Sequence, residues 1–368
     1  MRHHVKSVVA AAAATLALTV QAPAMAHASL SAPPPLADGF GLTQIPTEST
    51  YTATNTAYDF VITVSTPQVA GVPWLDNGGH HLRIVLPTDY YATPTKRYPV
   101  LYLLNGSTPG ADPANYFNGF KAVNSTSGMI SVIPDGGPRG WYTNWLNQNS
   151  AAGAQNWETF HINQVIPFID ANLRTLSDKA HRAIAGISMG GFGALRYAER
   201  HPDLFSQVAS LSGDNDLSRK SMDLREAAVA SLVTFSPTVG SDDLFGTPYP
   251  FSLVYPYSDV LWNDANPGAH AAALKGITVS IYIGNGDGTR PIPTDDPYNR
   301  SLEWWLNSAA HHFKTKLDAA GVPSYFVDYG NGAGTAWADC FGGHNSLCWV
   351  HDFNDLIPRL QQAFTTAG

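Results

Sequence analysis

Charge is scarce in this sequence: only 14% of its 368 residues are Asp, Glu, Lys or Arg, and they sum to −8. No Lys/Arg cluster offers the basic stripe that a phosphate backbone requires, which sets nucleic acid aside as a partner. Cysteine is scarcer still, with Cys340 and Cys348 alone. Two thiols near His344, without further ligands at zinc-like spacing, do not make a metal site. Long hydrophobic runs are also missing. The run from Val8 to Val20 is shorter than the ~20 residues of a membrane-spanning helix.

That run instead sits in an export signal. Arg2, His3, His4 and Lys6 precede it, and Ala24-Met25-Ala26 follows as a small-x-small cleavage site, so residues 1–26 are set apart from the fold. In an exported protein the two cysteines are expected to be joined as a disulfide. The Pro-rich segment 27–50 is expected to run extended over the surface, leaving 51–368 as one catalytic domain. Tyr58–Val64 and His81–Leu86 read as amphipathic strands. Val100–Leu104, Met129–Ile133, Ala183–Ala185, Val208–Leu211 and Val279–Ile283 are short apolar runs suited to a sheet covered on both faces. Helical patterns lie between them, at Trp157–Leu173, Gly191–Arg200 and Leu302–Ala320, and Tyr325–Val327 adds a further strand. This alternation predicts an α/β fold with a mostly parallel sheet, its functional groups beyond the C-terminal strand ends. Residues 214–275 are expected to form an insertion or lid over that edge.

Gly186-Ile187-Ser188-Met189-Gly190 is G-x-S-x-G, placed after an apolar strand and before a helix, where a sharp turn would present Ser188 as a nucleophile. A serine hydroxyl needs a histidine base and a carboxylate to orient it. The partners of such a serine follow it in the chain, the acid before the histidine, which disqualifies His80, His81, His161 and His181. His201 reads as a helix cap, His270, His311 and His312 as solvent-facing, and His351 as part of the final helix. His344 remains, in a glycine-bearing loop bracketed by Cys340 and Cys348. Topology points to Asp287 as the acid, after the strand Val279–Ile283, with Glu303 as the other candidate. The oxyanion donors are expected to be the N–H groups of Met189 and Ser107, the latter in the loop Asn105-Gly106-Ser107.

Several motifs together resemble the secreted mycolyltransferases of mycobacteria and corynebacteria, within the esterase-D-like α/β-hydrolases. They are Leu103-Leu104-Asn105-Gly106, Trp141-Tyr142-Thr143-Asn144-Trp145, Trp157-Glu158-Thr159-Phe160, Gly186–Gly191, Ala209-Ser210-Leu211-Ser212-Gly213, Gly284-Asn285-Gly286, and His344 with Trp349. The resemblance covers roughly residues 55–365. It implies that Glu303, in a Leu-Glu pair ten residues before Phe313, is the catalytic acid, and that Ser107 and Met189 are the oxyanion donors. It also implies transfer of long mycolic acyl chains between trehalose esters and cell-wall glycan, with Asn105 and Trp349 at the substrate and no cofactor. Asn105 and Thr108 stand where the mycobacterial enzymes carry an aspartate and an arginine, so the corynebacterial branch is the nearer likeness.

The resulting expectation is a secreted or cell-envelope serine acyltransferase, acting as a monomer. Hydrolysis, with water as the acceptor, is the first alternative. The second is a non-catalytic glycan-binding protein using Trp141, Trp145, Trp304, Trp305 and Trp349 as stacking surfaces.

Overall fold

The computed structural model describes residues 32–47, 56–72, 75–107, 112–218, 239–246, 260–286 and 297–367. Among them runs a nine-stranded sheet of order β1-β2-β3-β5-β4-β6-β7-β8-β9. The strands are β1 (Thr43–Ile45), β2 (Asp59–Ser65), β3 (His80–Val85), β4 (Val100–Leu104), β5 (Ile130–Pro134), β6 (Arg182–Ile187), β7 (Gln207–Leu211), β8 (Thr278–Gly284) and β9 (Ser324–Gly330). The first three pair antiparallel, with β3 against β5, and every pairing from β5 to β9 is parallel. Strand β1 lies inside the segment expected to run extended over the surface, where Thr43–Ile45 adds an edge to β2.

The helices are α1 (Pro113–Tyr116), α2 (Ile166–Asn172), α3 (Met189–Arg200), α4 (Ser241–Leu244), α5 (Val260–Ala265), α6 (Pro267–His270), α7 (Pro297–Ala319) and α8 (Ser346–Ala367). They cover both faces of the sheet. Along β4 the pleat sends Val100, Tyr102 and Leu104 into a core shared with Phe192, Leu195 and Phe313, and Leu101 and Leu103 into a second core with Phe117, Phe353 and Leu356. Burial on both faces is what an uninterrupted apolar strand requires, and it is why β4 has no alternating polar positions.

Two segments differ from their sequence reading. Strand β3, expected to be amphipathic, is buried along its whole length. Its polar side chains are internal because each meets a carboxylate: His80 with Asp135 at 3.0 Å, His81 with Asp112 at 2.8 Å, and Arg83 with Asp59 at 2.7 Å. The helix expected over Trp157–Leu173 is a π-helical turn, Thr159–Val165, that passes into α2 at Pro167. Of the expected insertion, residues 219–238 and 247–259 lie outside the described residues. The rest packs on the body of the domain, Leu146 and Asn147 N–H groups donating to the Leu244 and Asp243 carbonyls at 3.0 Å.

Candidate active site

Strand β6 lies between β4 and β7, and β4 pairs with β5 on its other side. The crossovers leaving β4 therefore diverge at this point, which opens a crevice beyond the carboxyl ends of the strands. Ser188 stands at that end, between β6 and α3, with φ 55° and ψ −121°. A non-glycine residue held there stores backbone strain, and the surroundings must enforce it. The glycines do so. A side chain on Gly186 would collide with the Gly190 backbone, and one on Gly190 with the Leu104 carbonyl. Ser188 N–H is tied to Leu211 O at 2.9 Å, and Gly191 N–H donates back to Ser188 O at 2.8 Å. These contacts fix the elbow against β4 and β7 and aim the N-terminus of α3 at the crevice.

Glu303 and His344 meet on the same rim. Glu303, in the second turn of α7, is fully buried, and its Oε2 lies 2.7 Å from His344 Nδ1. Its other oxygen accepts from Ser212 Oγ at 2.8 Å and from Gly284 N–H at 2.9 Å. With Nδ1–H donated to the carboxylate, Nε2 of His344 is left as the acceptor a general base needs. The histidine loop is held from two directions. Cys340 and Cys348 form a disulfide, and Gly286 N–H donates to Gly342 O at 3.0 Å. Gly284 packs so tightly on Gly342 that a side chain there would strike its carbonyl, which explains the Gly284-Asn285-Gly286 motif. Asp287 lies outside the described residues.

Ser188 approaches this pair through the oxyanion loop and two aromatic rings. Gly106 passes the serine closely enough that a Cβ on it would sit 3.3 Å from Ser188 Cβ. Tyr116, beside Gly106, stacks at 6.3 Å on Trp349, whose ring meets His344 edge-on at 5.1 Å. Among the described residues Ser188 Oγ makes no direct hydrogen bond to His344. The amides of Ser107 and Met189 likewise show no backbone partner among the described residues.

Asn105 is a correction. Expected at the substrate, its side chain is fully buried. Nδ2 donates to Gly106 O at 2.9 Å, while Oδ1 accepts from Gly136 N–H at 3.1 Å and from Tyr142 Oη at 3.0 Å. These bonds engage the side chain inside the protein, where it shapes the oxyanion loop. Trp349 is half-buried, and its Nε1 donates to Ser212 Oγ at 3.1 Å, so it supports the acid as well as facing the crevice. Trp141 and Trp145 are core residues at 3% exposure, which removes them as stacking surfaces, whereas Trp304 is 58% exposed. His201 caps α3 as expected, and it also pairs with Glu158 at 2.9 Å.

Sequence reading did not assign Ser212 or Asp214 to the site. The Ala209–Gly213 motif was the available signal for Ser212, because a serine at a strand end can reach the crevice. Asp214, two residues beyond Ser212, is buried. Burial drives its carboxyl upward and Glu303 adds to this, His344 opposes, and the result is about 7. Asp352, beneath the histidine loop, is likewise pushed well above the usual carboxylate range by burial, though Trp337 Nε1 donates to it at 2.7 Å.

A serine at a strand–helix elbow and a carboxylate-held histidine on the rim of a mostly parallel sheet are the arrangement of the α/β-hydrolase class. The chain belongs to the Esterase family, whose model matches residues 77–360. Over 265 residues it is 33% identical to an esterase of Mycobacterium tuberculosis, covering 70% of this chain and 52% of that protein. The chain thus spans about half the length of the curated relatives it matches at this level. It is 27% identical over 276 residues to the diacylglycerol acyltransferase/mycolyltransferase Ag85A of Mycobacterium leprae, covering 72% of this chain and 75% of that protein. Among solved structures, Mycobacterium tuberculosis MPT51 superposes with a TM-score of 0.59 at 20% identity, covering 80% of this chain and 97% of that one. An S-formylglutathione hydrolase of Agrobacterium tumefaciens superposes at 0.56 with 13% identity, covering 89% of this chain and 98% of that one. These two likenesses establish the fold alone. The mycobacterial relatives accord with the expected mycolyltransferase likeness, and the nearer corynebacterial branch stays an expectation.

Proposed function

We propose that this chain is a serine acyltransferase that moves a long-chain acyl group from a trehalose ester or related glycolipid to a sugar hydroxyl. Ser188 attacks the ester carbonyl, and His344 Nε2 takes the hydroxyl proton and returns it to the departing alcohol. Glu303 holds the imidazole and stabilises the imidazolium. The amides of Ser107 and Met189 receive the oxyanion, with the dipole of α3 reinforcing them. The observation that carries the reading is the buried 2.7 Å contact between Glu303 and His344 at the rim that holds the strained Ser188. Substrate closes the remaining serine–histidine step, since catalytic hydrogen bonds commonly tighten only in the Michaelis complex.

Hydrolysis is the second reading, and the greater identity to the esterase than to Ag85A favours it. The two share every step up to the acyl-serine and part at the acceptor. The leader read in residues 1–26 and the disulfide fit export to an oxidising compartment.

Two measurements test the reading. Fluorophosphonate should label the native protein and fail to label Ser188→Ala. With trehalose monoester as sole substrate, diester product marks a transferase and free acid an esterase. Unchanged labelling of Ser188→Ala would remove the proposed nucleophile.

A further inference from the structure

Ser212, the first residue after β7, is fully buried and has φ 47°. That is the left-handed region, open to glycine and strained for any residue with a side chain. The neighbouring Gly213 is a glycine because a Cβ on it would strike Ser210 Oγ. At 212 the chain keeps a side chain in spite of the strain, and strain that is kept points to a use for the group that causes it. The conformation is enforced from the next strand, since Ser212 N–H donates to Tyr282 O of β8 at 2.9 Å.

The Ser212 hydroxyl has two partners, and their chemistry fixes its direction. The indole Nε1 of Trp349 can only donate, so its 3.1 Å contact occupies a lone pair of Ser212 Oγ. The hydroxyl proton is left for Glu303 Oε1 at 2.8 Å. Gly284 N–H donates to the same oxygen at 2.9 Å. With Oε1 held from the ends of β7 and β8, Oε2 is the oxygen turned to His344 Nδ1 at 2.7 Å. Trp349 closes the circuit, because its ring also meets the His344 ring edge-on, with centroids 5.1 Å apart. Rotation of the carboxylate away from the imidazole would break the bond to Ser212.

Resting on the serine mechanism, we propose that Ser212 is a positioning residue for the catalytic acid: its hydroxyl, aimed by Trp349, locks the Glu303 carboxylate with Oε2 facing the imidazole. A catalytic group works at full rate only when its own rotamer is held by a supporting hydrogen bond, and Ser212 supplies that bond here. It acts through Glu303 and not on substrate, so its loss appears in kcat and leaves KM in place.

The test measures hydrolysis of a short-chain nitrophenyl ester at neutral pH, with thermal melting and fluorophosphonate labelling of each protein. Ser212→Gly and Ser212→Ala should each lower kcat about tenfold and leave KM within about twofold of native. Glycine relieves the strain at this position, so Ser212→Gly should melt at or above Ser212→Ala while being no faster, a separation that a serine kept for folding alone would not give. If Ser212→Ala does not fold, Ser212→Gly carries the comparison. In a Glu303→Gln background, Ser212→Gly should change kcat by less than about twofold, because the carboxylate it orients is gone. Trp349→Phe keeps a ring beside His344 and deletes the Nε1–H donor; it should lower kcat about threefold in the native protein and no further in Ser212→Gly. Native kcat in Ser212→Gly, or an undiminished effect of either substitution once its partner has been removed, would overturn the proposal. Failure of the serine mechanism looks different: the native protein would neither turn over ester nor take the label at Ser188.

Discussion

Glu303 Oε2 lies 2.7 Å from His344 Nδ1, although 41 positions separate the two residues in the chain. Both are buried, and both remaining interactions of the carboxylate come from the backbone or side chain of neighbouring strand ends. Glu303→Gln keeps the shape and removes the charge. It should lower kcat by about two to four orders of magnitude with little change in KM, because the contact matters most when the imidazole is protonated. Steady-state kinetics with a nitrophenyl ester measure this, and a Glu303→Gln enzyme with native kcat would show that another group orients His344.

Asn105 offers a contrast, since its hydrogen bonds hold the oxyanion loop from inside. Asn105→Ala should cost about 1–3 kcal/mol of stability by leaving buried partners unsatisfied. The expected signature is a lower melting temperature together with a lower kcat. A change confined to KM would instead place the side chain at the substrate.

The disulfide closes a short loop around His344. Replacing both cysteines by serine should cost about 2–3 kcal/mol by the chain-entropy model. The larger effect should fall on catalysis, as kcat drops well before the protein unfolds. Parallel denaturation and rate measurements separate the two effects, and full activity in the double serine variant would show that the Gly286–Gly342 bond and the Asn345 Nδ2 donation to Cys340 O at 3.1 Å hold the loop unaided.

Acid stability should depend on Glu158. Burial pushes its carboxyl up, but the His201 hydrogen bond and the charges of Arg196 and Arg200 outweigh this and hold it at about 2. A folded value below the unfolded one stabilises the protein above the ordinary glutamate range, and that stabilisation is lost as pH falls from about 4.5 toward 2. Its size is on the order of 3 kcal/mol. Melting temperatures of the native protein and Glu158→Gln should therefore converge across that interval. Parallel curves would mean that the pair contributes nothing to acid sensitivity.

Much of the fold was legible because local burial writes itself into local sequence. The apolar runs at Val100–Leu104 and Val279–Ile283 are strands covered on both faces, and the glycines around Ser188 are where the elbow excludes side chains. Strand β3 misled because His80, His81 and Arg83 look solvent-facing until their carboxylate partners are known. Asn105 misled for the same reason, a polar side chain being equally suited to a ligand or to a buried network.

By itself the sequence determined the alternation of strands and helices, the turn that presents Ser188, and the loop that carries His344. Each is a property of neighbouring residues, set by backbone sterics and by the period of apolar side chains. Only the tertiary structure decided that Glu303 reaches the imidazole and that Ser212 and Trp349 stand behind it. Those relations depend on where separate strand ends converge, and no local pattern encodes the distance between side chains brought together by the sheet.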